Sequence, residues 1–285
     1  MFFIADSGST KTDWIAIDNT GKVLLTTQTH GLNASILEEE ILDQRIKQNP
    51  QLIQLQSQVK KIYFYGAGLG VKTAAQSMEK VLSQIFINSS FLIREDTYAA
   101  VYATITPSQP AIICILGTGS NCSYYDGKNV EQRVRSLGYI IMDEASGNFY
   151  GKQLIRSYYF NELSKGMKAK FESQYDMRNE VINKNLYENE NPNTYLAKVG
   201  KFVIENKEEP LFQKIIFEGL NRFIEHQIFQ FENCKEVPIH FIGSVAFYLK
   251  KEVEKALDSY GLTLGRIVKR PIDRLVEYHK LFLSE

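Results

Sequence analysis

Two short glycine-hydroxyl segments constrain the fold of this chain more than any other feature: Asp6-Ser7-Gly8-Ser9-Thr10-Lys11-Thr12-Asp13 near the amino terminus, and Gly117-Thr118-Gly119-Ser120-Asn121-Cys122 further on. Each follows an apolar stretch, Phe2-Phe3-Ile4-Ala5 or Ala111 to Leu116. Each also leads into a second one, Trp14-Ile15-Ala16-Ile17 or the alternating Cys122 to Tyr125. The pattern predicts two tight turns between strands. Glycine lets the backbone bend and approach a ligand closely, while consecutive N–H groups and hydroxyls can bind anionic oxygens. Taken singly, each turn is equally an ordinary hairpin; taken together, facing one another, they would grip a polyphosphate.

A chain of 285 residues has length for about two domains with separate cores. Lys+Arg and Asp+Glu both number 33, so no global charge steers it toward nucleic acid or an anionic membrane, and any anion site must be local. The cysteines, Cys114, Cys122 and Cys234, are odd in number and without paired spacing, which argues for a reducing, cytoplasmic compartment and against a disulfide framework. Asp6 interrupts the first apolar residues and no basic segment precedes them, so a signal peptide is not expected. No apolar run approaches the roughly 20 residues of a membrane helix. His30, His226, His240 and His279 are scattered without metal-ligand spacing.

From Met1 to about Ser108 the pattern reads strand, strand, strand, helix, strand, helix, strand, helix. The first strands lie near Phe2–Ala5, Thr12–Ile17 and Val23–Thr29, with Asn19-Thr20-Gly21-Lys22 as a turn. Ser35, with Glu38 three residues on, predicts a capping box opening a helix to about Lys47. Thr106 to Pro110 reads as a hinge, after which a second strand series begins at Ala111. Both halves thus start with a strand, a glycine-hydroxyl turn and another strand, a weak internal repeat. The expected domains are 1–108 and 109–271, the second with a helical insertion, and the C-terminal helix 272–285 is a candidate to join the first. Tyr150 to Leu163 reads as a helix, Asn183 to Asn193 as an exposed loop, and Leu211 to Phe231 as a long amphipathic core helix.

Gly66-Ala67-Gly68-Leu69-Gly70-Val71-Lys72-Thr73 sits between a strand and a helix, the setting of a phosphate-binding loop. Val71 occupies the position where both the Walker and the dinucleotide patterns need glycine, so the segment reads as close strand-helix packing.

Kinase chemistry needs phosphate cradles, a carboxylate to hold a metal and a base for the attacking hydroxyl. Asp6, at the mouth of the first turn, can hold Mg²⁺ through water. Asp96 ends a strand before the helix starting at Thr97; it reads as a carboxylate at the sheet's C-terminal edge or simply as a helix N-cap. In order along the chain, the Asp6–Thr12 turn, Asn33 in Gly31-Leu32-Asn33, the Asp96 segment, Gly117–Cys122, Asp143-Glu144 and Gly243-Ser244-Val245 resemble the family that joins N-acetylglucosamine kinases with BadF-type ATPases, within the actin-like superfamily.

The resemblance implies an α/β fold of two ribonuclease-H-like domains with ATP and Mg²⁺ in the cleft between them. It implies phosphate contacts from Gly8, Ser9, Thr10, Lys11, Gly117, Thr118 and Gly119, and adenosine contacts from Gly243 and Ser244. It assigns Asp6 to the metal, Asp96 to general-base catalysis at a sugar 6-hydroxyl, and Asn33, Thr118 and Asp143 to an amino-sugar substrate. A homodimer is compatible with it. The chain departs from the family around the sugar: Ser136-Leu137-Gly138-Tyr139 replaces Gly-Gly-Trp-Gly, and Met142-Asp143-Glu144-Ala145-Ser146 replaces Gly-Asp-Glu-Gly-Ser. N-acetylglucosamine is the first candidate substrate, and N-acetylmuramic acid and glucosamine are alternatives. An activator ATPase of the BadF type would need exposed cysteines near a dimer interface, and a sugar and nucleotide sensor would bind without efficient transfer.

Overall fold

Alternation in the first strand dictates a layered unit. In β1 (Phe2–Ser7), Phe3 and Ala5 face one side and Ile4 the other, and all three are fully buried. β4 (Lys61–Gly66) repeats the pattern with Ile62 and Phe64 against Tyr63 and Tyr65. Strands buried on both faces must lie centrally, with a layer on each side. The computed structural model, which describes residues 1–8, 10–105, 109–189 and 191–280, shows this arrangement. β2 (Lys11–Ile17) pairs antiparallel with β1, and β3 (Val23–His30) antiparallel with β2; β4 and β5 (Ser90–Glu95) run parallel to β1, in the order β3-β2-β1-β4-β5. One face packs Trp14 and Phe64 against Leu42 of α1 (Glu39–Lys47), Leu52 of α2 (Pro50–Leu55) and Met78 of α3 (Lys72–Ile85). The other packs Ile4, Ile15 and Tyr65 under α4 (Asp96–Thr104) and a C-terminal helix, Ile272–Lys280.

The second sheet comprises β6 (Ala111–Leu116), β7 (Ser120–Tyr125), β8 (Val130–Glu131), β9 (Ile239–Ile242) and β10 (Leu264–Val268), in the order β10-β9-β6-β7-β8. Its strand senses match those of the first sheet. The opening strand is central, its hairpin partner is antiparallel, and the two later strands are parallel to it. The repeat is therefore a repeat of topology, and the fold is α/β with two ribonuclease-H-like sheets. The chain divides into two compact units, Met1–Ile105 with Arg270–Glu285, and Thr106–Lys269.

Between β8 and β9 lie α5 (Gly147–Tyr159), α6 (Lys165–Glu172), α7 (Asn179–Asn183), a π-helical turn at Lys184–Glu188, α8 (Pro192–Glu205) and α9 (Pro210–His226). α10 (Ser244–Tyr248) and α11 (Lys250–Ser259) follow β9, and α12 (Ile272–Lys280) closes the described chain. No helix among the described residues is long and apolar enough to cross a membrane.

Several local expectations change. The capping box does not form: α1 starts at Glu39, and Ser35 instead donates its N–H and hydroxyl to Asn33 Oδ1, at 3.0 and 2.6 Å. Asn33 thereby captures the residue meant to cap the helix. Asn183 to Asn193, expected as an exposed loop, is helical over Asn183–Glu188, where a π-helical turn continues α7, and again from Pro192, which takes the first position of α8, where its missing N–H costs nothing. α5 begins at Gly147, three residues before the expected start, since the buried Ser146 caps it through Phe149 N. α9 ends at His226, followed by a 3-10 turn at Ile228–Gln230. Thr106 to Ser108, in the expected hinge, and residues 281–285 of the expected last helix lie outside the described residues.

Candidate active site

The first unit places its chemistry where β1 and β5 end, the carboxyl edge at which open α/β sheets bind ligands. Asp6 lies opposite Asp13 on β2 and Tyr65 on β4. The turn after β1 is closed by Gly8 N–H donating to the Lys11 carbonyl at 3.0 Å. Its legs are held by buried hydroxyls: Ser7 Oγ is 2.7 Å from Thr12 Oγ1 and accepts Leu32 N–H at 3.0 Å. Ser9, predicted to bind phosphate, lies outside the described residues. Lys11, expected on phosphate, holds Asp13 Oδ2 at 2.7 Å, while Gln28 donates to Asp13 Oδ1 at 2.6 Å. Asp13 ends the Asp6–Asp13 segment but was given no role from sequence, and Gln28 was not singled out; cross-strand register sets Gln28 opposite Asp13.

Asp96 is the first residue of α4, while the N-cap backbone position belongs to Glu95, which makes no side-chain cap. The simple N-cap reading of Asp96 is thus replaced by a carboxylate at the helix head. Burial, and then the charge of Glu95, push the Asp96 carboxyl up to about 7, against the pull of N–H groups at Asp96 and Thr97. Asp6 is pushed up to about 7 as well, by burial first and then by the charges of Asp96 and Asp13, with Lys11 and Arg270 opposing. Asn33 follows β3 in the same unit, its Oδ1 occupied by Ser35. Beside the turn, a recess of about 570 Å³ is lined by residues including Thr10, Lys11, His30 and Arg45. Neither Asp6 nor Asp96 lines it, so it is not a centre for their chemistry.

In the second unit the structure brings Gly117, Thr118, Gly119, Asp143 and Gly243 together. Gly117 N–H donates to the Gly119 carbonyl at 2.9 Å, closing the β6–β7 turn. A Cβ on Gly119 would come within 2.6 Å of Asp143 Oδ2, and one on Gly243, at φ +116°, within 2.2 Å of the Leu116 carbonyl. Only glycine fits either position. Ser244 is exposed at the head of α10. The Ser120 hydroxyl is buried with no partner, as a polar group placed for a ligand would be. Leu137 is 56% exposed, with Ile140 and Ile141 also exposed near it in sequence. Ser146 and Asn148 are both buried beside Asp143; neither was given a role from sequence, where Ser146, the N-cap of α5, appeared only as the end of the Met142–Ser146 segment.

No family model and no curated protein sequence matches the chain. Solved structures do. One from Porphyromonas gingivalis is 30% identical with a TM-score of 0.92, covering 99% of this chain and 99% of its own. A second, from Chromobacterium violaceum, is 17% identical with a TM-score of 0.67, covering 99% of this chain and 98% of its own; both are described as "putative N-acetylglucosamine kinase". A glucokinase of the ROK family from Streptomyces griseus, in complex with glucose and AMPPNP, shares the fold at 13% identity and a TM-score of 0.63, covering 98% of each chain. The chain belongs to the N-acetylglucosamine kinase family, with an actin-like sugar kinase fold.

Proposed function

We propose that the protein is an ATP-dependent kinase that phosphorylates an N-acetylhexosamine, with N-acetylglucosamine at its 6-hydroxyl as the leading substrate. The observation that carries this reading is Asp96, a carboxyl held near pH 7 at the sheet edge where the Gly8 turn also lies. A general base works best when its pKa is close to the operating pH. Ionised Asp96 would take the proton of the sugar hydroxyl as its oxygen attacks the terminal phosphate of ATP. The Gly8–Lys11 and Gly117–Gly119 turns, whose Gly8 and Gly117 N–H groups are spent on closing them, are assigned to the phosphates through their remaining N–H groups and the Thr10, Thr118 and Ser120 hydroxyls. Gly243 and Ser244 are assigned to the nucleoside, and Asn33, Thr118 and Asp143 to the sugar.

The residues also fit Mg²⁺. Among the described residues no three His, Cys, Asp or Glu side chains converge on one point, so the ion would be held by Asp6, water and the nucleotide's own phosphates. Burial first, and then the charges of Asp96 and Asp13, raise the pKa of the Asp6 carboxyl, and a divalent cation would offset that penalty. When bound, the ion neutralises charge on the phosphates. The activator-ATPase alternative finds no support, because all three cysteines are buried.

The test is Mg²⁺-ATP turnover, coupled to ADP release, across N-acetylglucosamine, N-acetylmuramic acid, N-acetylmannosamine, glucosamine and glucose. Strong stimulation by one N-acetylated sugar supports the proposal and names the substrate. Stimulation by glucose or glucosamine alone would overturn the N-acetyl assignment, and tight sugar binding without turnover would make the protein a sensor.

A further inference from the structure

The Gly117–Ser120 turn is fastened on its inner side by one short segment. The Gly117 carbonyl accepts Gly147 N–H at 2.8 Å, and the Thr118 carbonyl accepts Asn148 N–H at 3.0 Å. Both donors belong to the first turn of α5, whose N–H groups have no partner inside their own helix. Ser120 N–H donates to Asp143 Oδ1 at 3.2 Å. The helix terminus therefore holds the carbonyls of the turn, leaving the opposite side of that backbone for an anion.

Asp143 is itself restrained. Its φ of +69° is a left-handed conformation that non-glycine residues seldom adopt. Two contacts keep it there: Ser146 Oγ lies 2.6 Å from its carbonyl, and Asn148 Nδ2 donates to its Oδ2 at 2.9 Å. Asn148 Oδ1 in turn lies 2.9 Å from Ser146 Oγ, so both ends of the Asn148 amide are used. Asn148 is 1% exposed, Ser146 0% and Asp143 7%, which leaves little room for water to replace any of these bonds.

Resting on the kinase reading, we propose that Asn148 is a positioning residue: its side-chain amide pins the Asp143 carboxylate against the Gly117–Ser120 turn and so fixes that turn for the nucleotide's phosphates. It touches neither substrate nor nucleotide. The chemistry required is that of a neutral donor. A carboxylic acid at position 148 can imitate it only while it carries a proton, because the loss of that proton sets two like charges within hydrogen-bonding distance. The other charged groups near this network are Lys152 on α5, whose ammonium donates to the Tyr139 carbonyl, and Glu144.

The test is calorimetric titration of wild type, Asn148→Ala and Asn148→Asp with a non-hydrolysable Mg²⁺-ATP analogue between pH 5.5 and 8.5, with sugar affinity measured in parallel. Asn148→Ala is expected to weaken nucleotide binding roughly ten- to hundredfold at every pH, the range for leaving a buried polar group unpaired, and to weaken sugar binding with it, since Asp143 and Thr118 are assigned to the sugar. Asn148→Asp is expected to bind nucleotide nearly as well as wild type at pH 5.5 and to lose affinity as pH rises, a dependence that a simple packing defect would not produce. Unchanged nucleotide affinity in Asn148→Ala, or a pH-independent loss in Asn148→Asp, would overturn the inference while leaving the kinase reading intact. Failure of wild type to bind nucleotide would overturn both.

Discussion

The hydroxyl of Tyr65 lies 2.9 Å from Nε2 of His279, joining the fourth strand of the first sheet to a helix from the far end of the chain. The His279 ring also lies over Tyr63, with centroids 3.9 Å apart, and the neighbouring Tyr278 stacks on Tyr102 of α4 at 4.1 Å. With Ile272, Leu275 and Val276 buried in the same layer, α12 completes the first unit's core.

His279 makes that closure sensitive to acid. Burial first, and then the charge of Lys61, lower its pKa to about 4 from an ordinary 6.5. Between those values the unfolded chain binds a proton that the folded one does not, so stability falls as pH drops from about 6.5 toward 4. His279→Gln should therefore lose less melting temperature than wild type between pH 7.5 and 5.0. His240, lowered to about 4 by burial and Arg266, remains in both proteins and cancels in the comparison. Equal losses would show that His279 does not titrate in this window.

Asp96→Asn should lower turnover by roughly 10²–10⁴, the usual range for losing a general base. In the wild type, turnover should fall about tenfold per unit below pH 7, where the base becomes protonated. A stopped assay from pH 5.5 to 9 checks both. An unchanged rate in the variant would remove Asp96 from the chemistry.

Asp6 illustrates stability given up for a site. Its carboxyl is raised from 3.8 to about 7, so between those values the folded form holds a proton the unfolded form has lost. Stability falls with rising pH through that window, and the full penalty persists above it. Asp6→Asn should be more stable than wild type at pH 8 by about 1 kcal/mol, the scale of gains at strained functional sites. The difference should shrink toward pH 4. Thermal denaturation without nucleotide is the measurement, and a less stable variant at pH 8 would contradict it.

α5 and α8 cross at glycines. A Cβ on Gly151 would sit 1.9 Å from the Leu196 carbonyl, and one on Gly200 would sit 2.1 Å from the Gly147 carbonyl. Either alanine substitution should cost more than about 3 kcal/mol, because backbone atoms cannot move aside. Gly166→Ala in α6, where nothing lies within 4 Å, is the control and should be neutral or slightly stabilising. Urea midpoints distinguish the cases.

Much of the fold was legible because its signals are local. Phe2–Ala5 and Thr12–Ile17 announced strands by their apolar content, and the Gly8 and Gly117 turns announced hairpins by residue type. β10, Leu264–Val268, was overlooked: its Gly265 and Arg266 break the pattern, and it becomes a strand by pairing with β9. Ser35 misled for a related reason, since a competing acceptor, Asn33 Oδ1, lay only two residues away.

Turn chemistry, strand alternation and helical periodicity depend on neighbours two to four residues apart, and the sequence by itself determined them. Tertiary structure alone decided that Asp13 opposes Asp6, that Cys114 and Cys122 face each other at 3.6 Å as free thiols, that His279 meets Tyr65 and that Asn148 braces Asp143. Those relations rest on strand register and helix packing, which are settled by the burial of whole faces at once and leave no mark on any short stretch of chain.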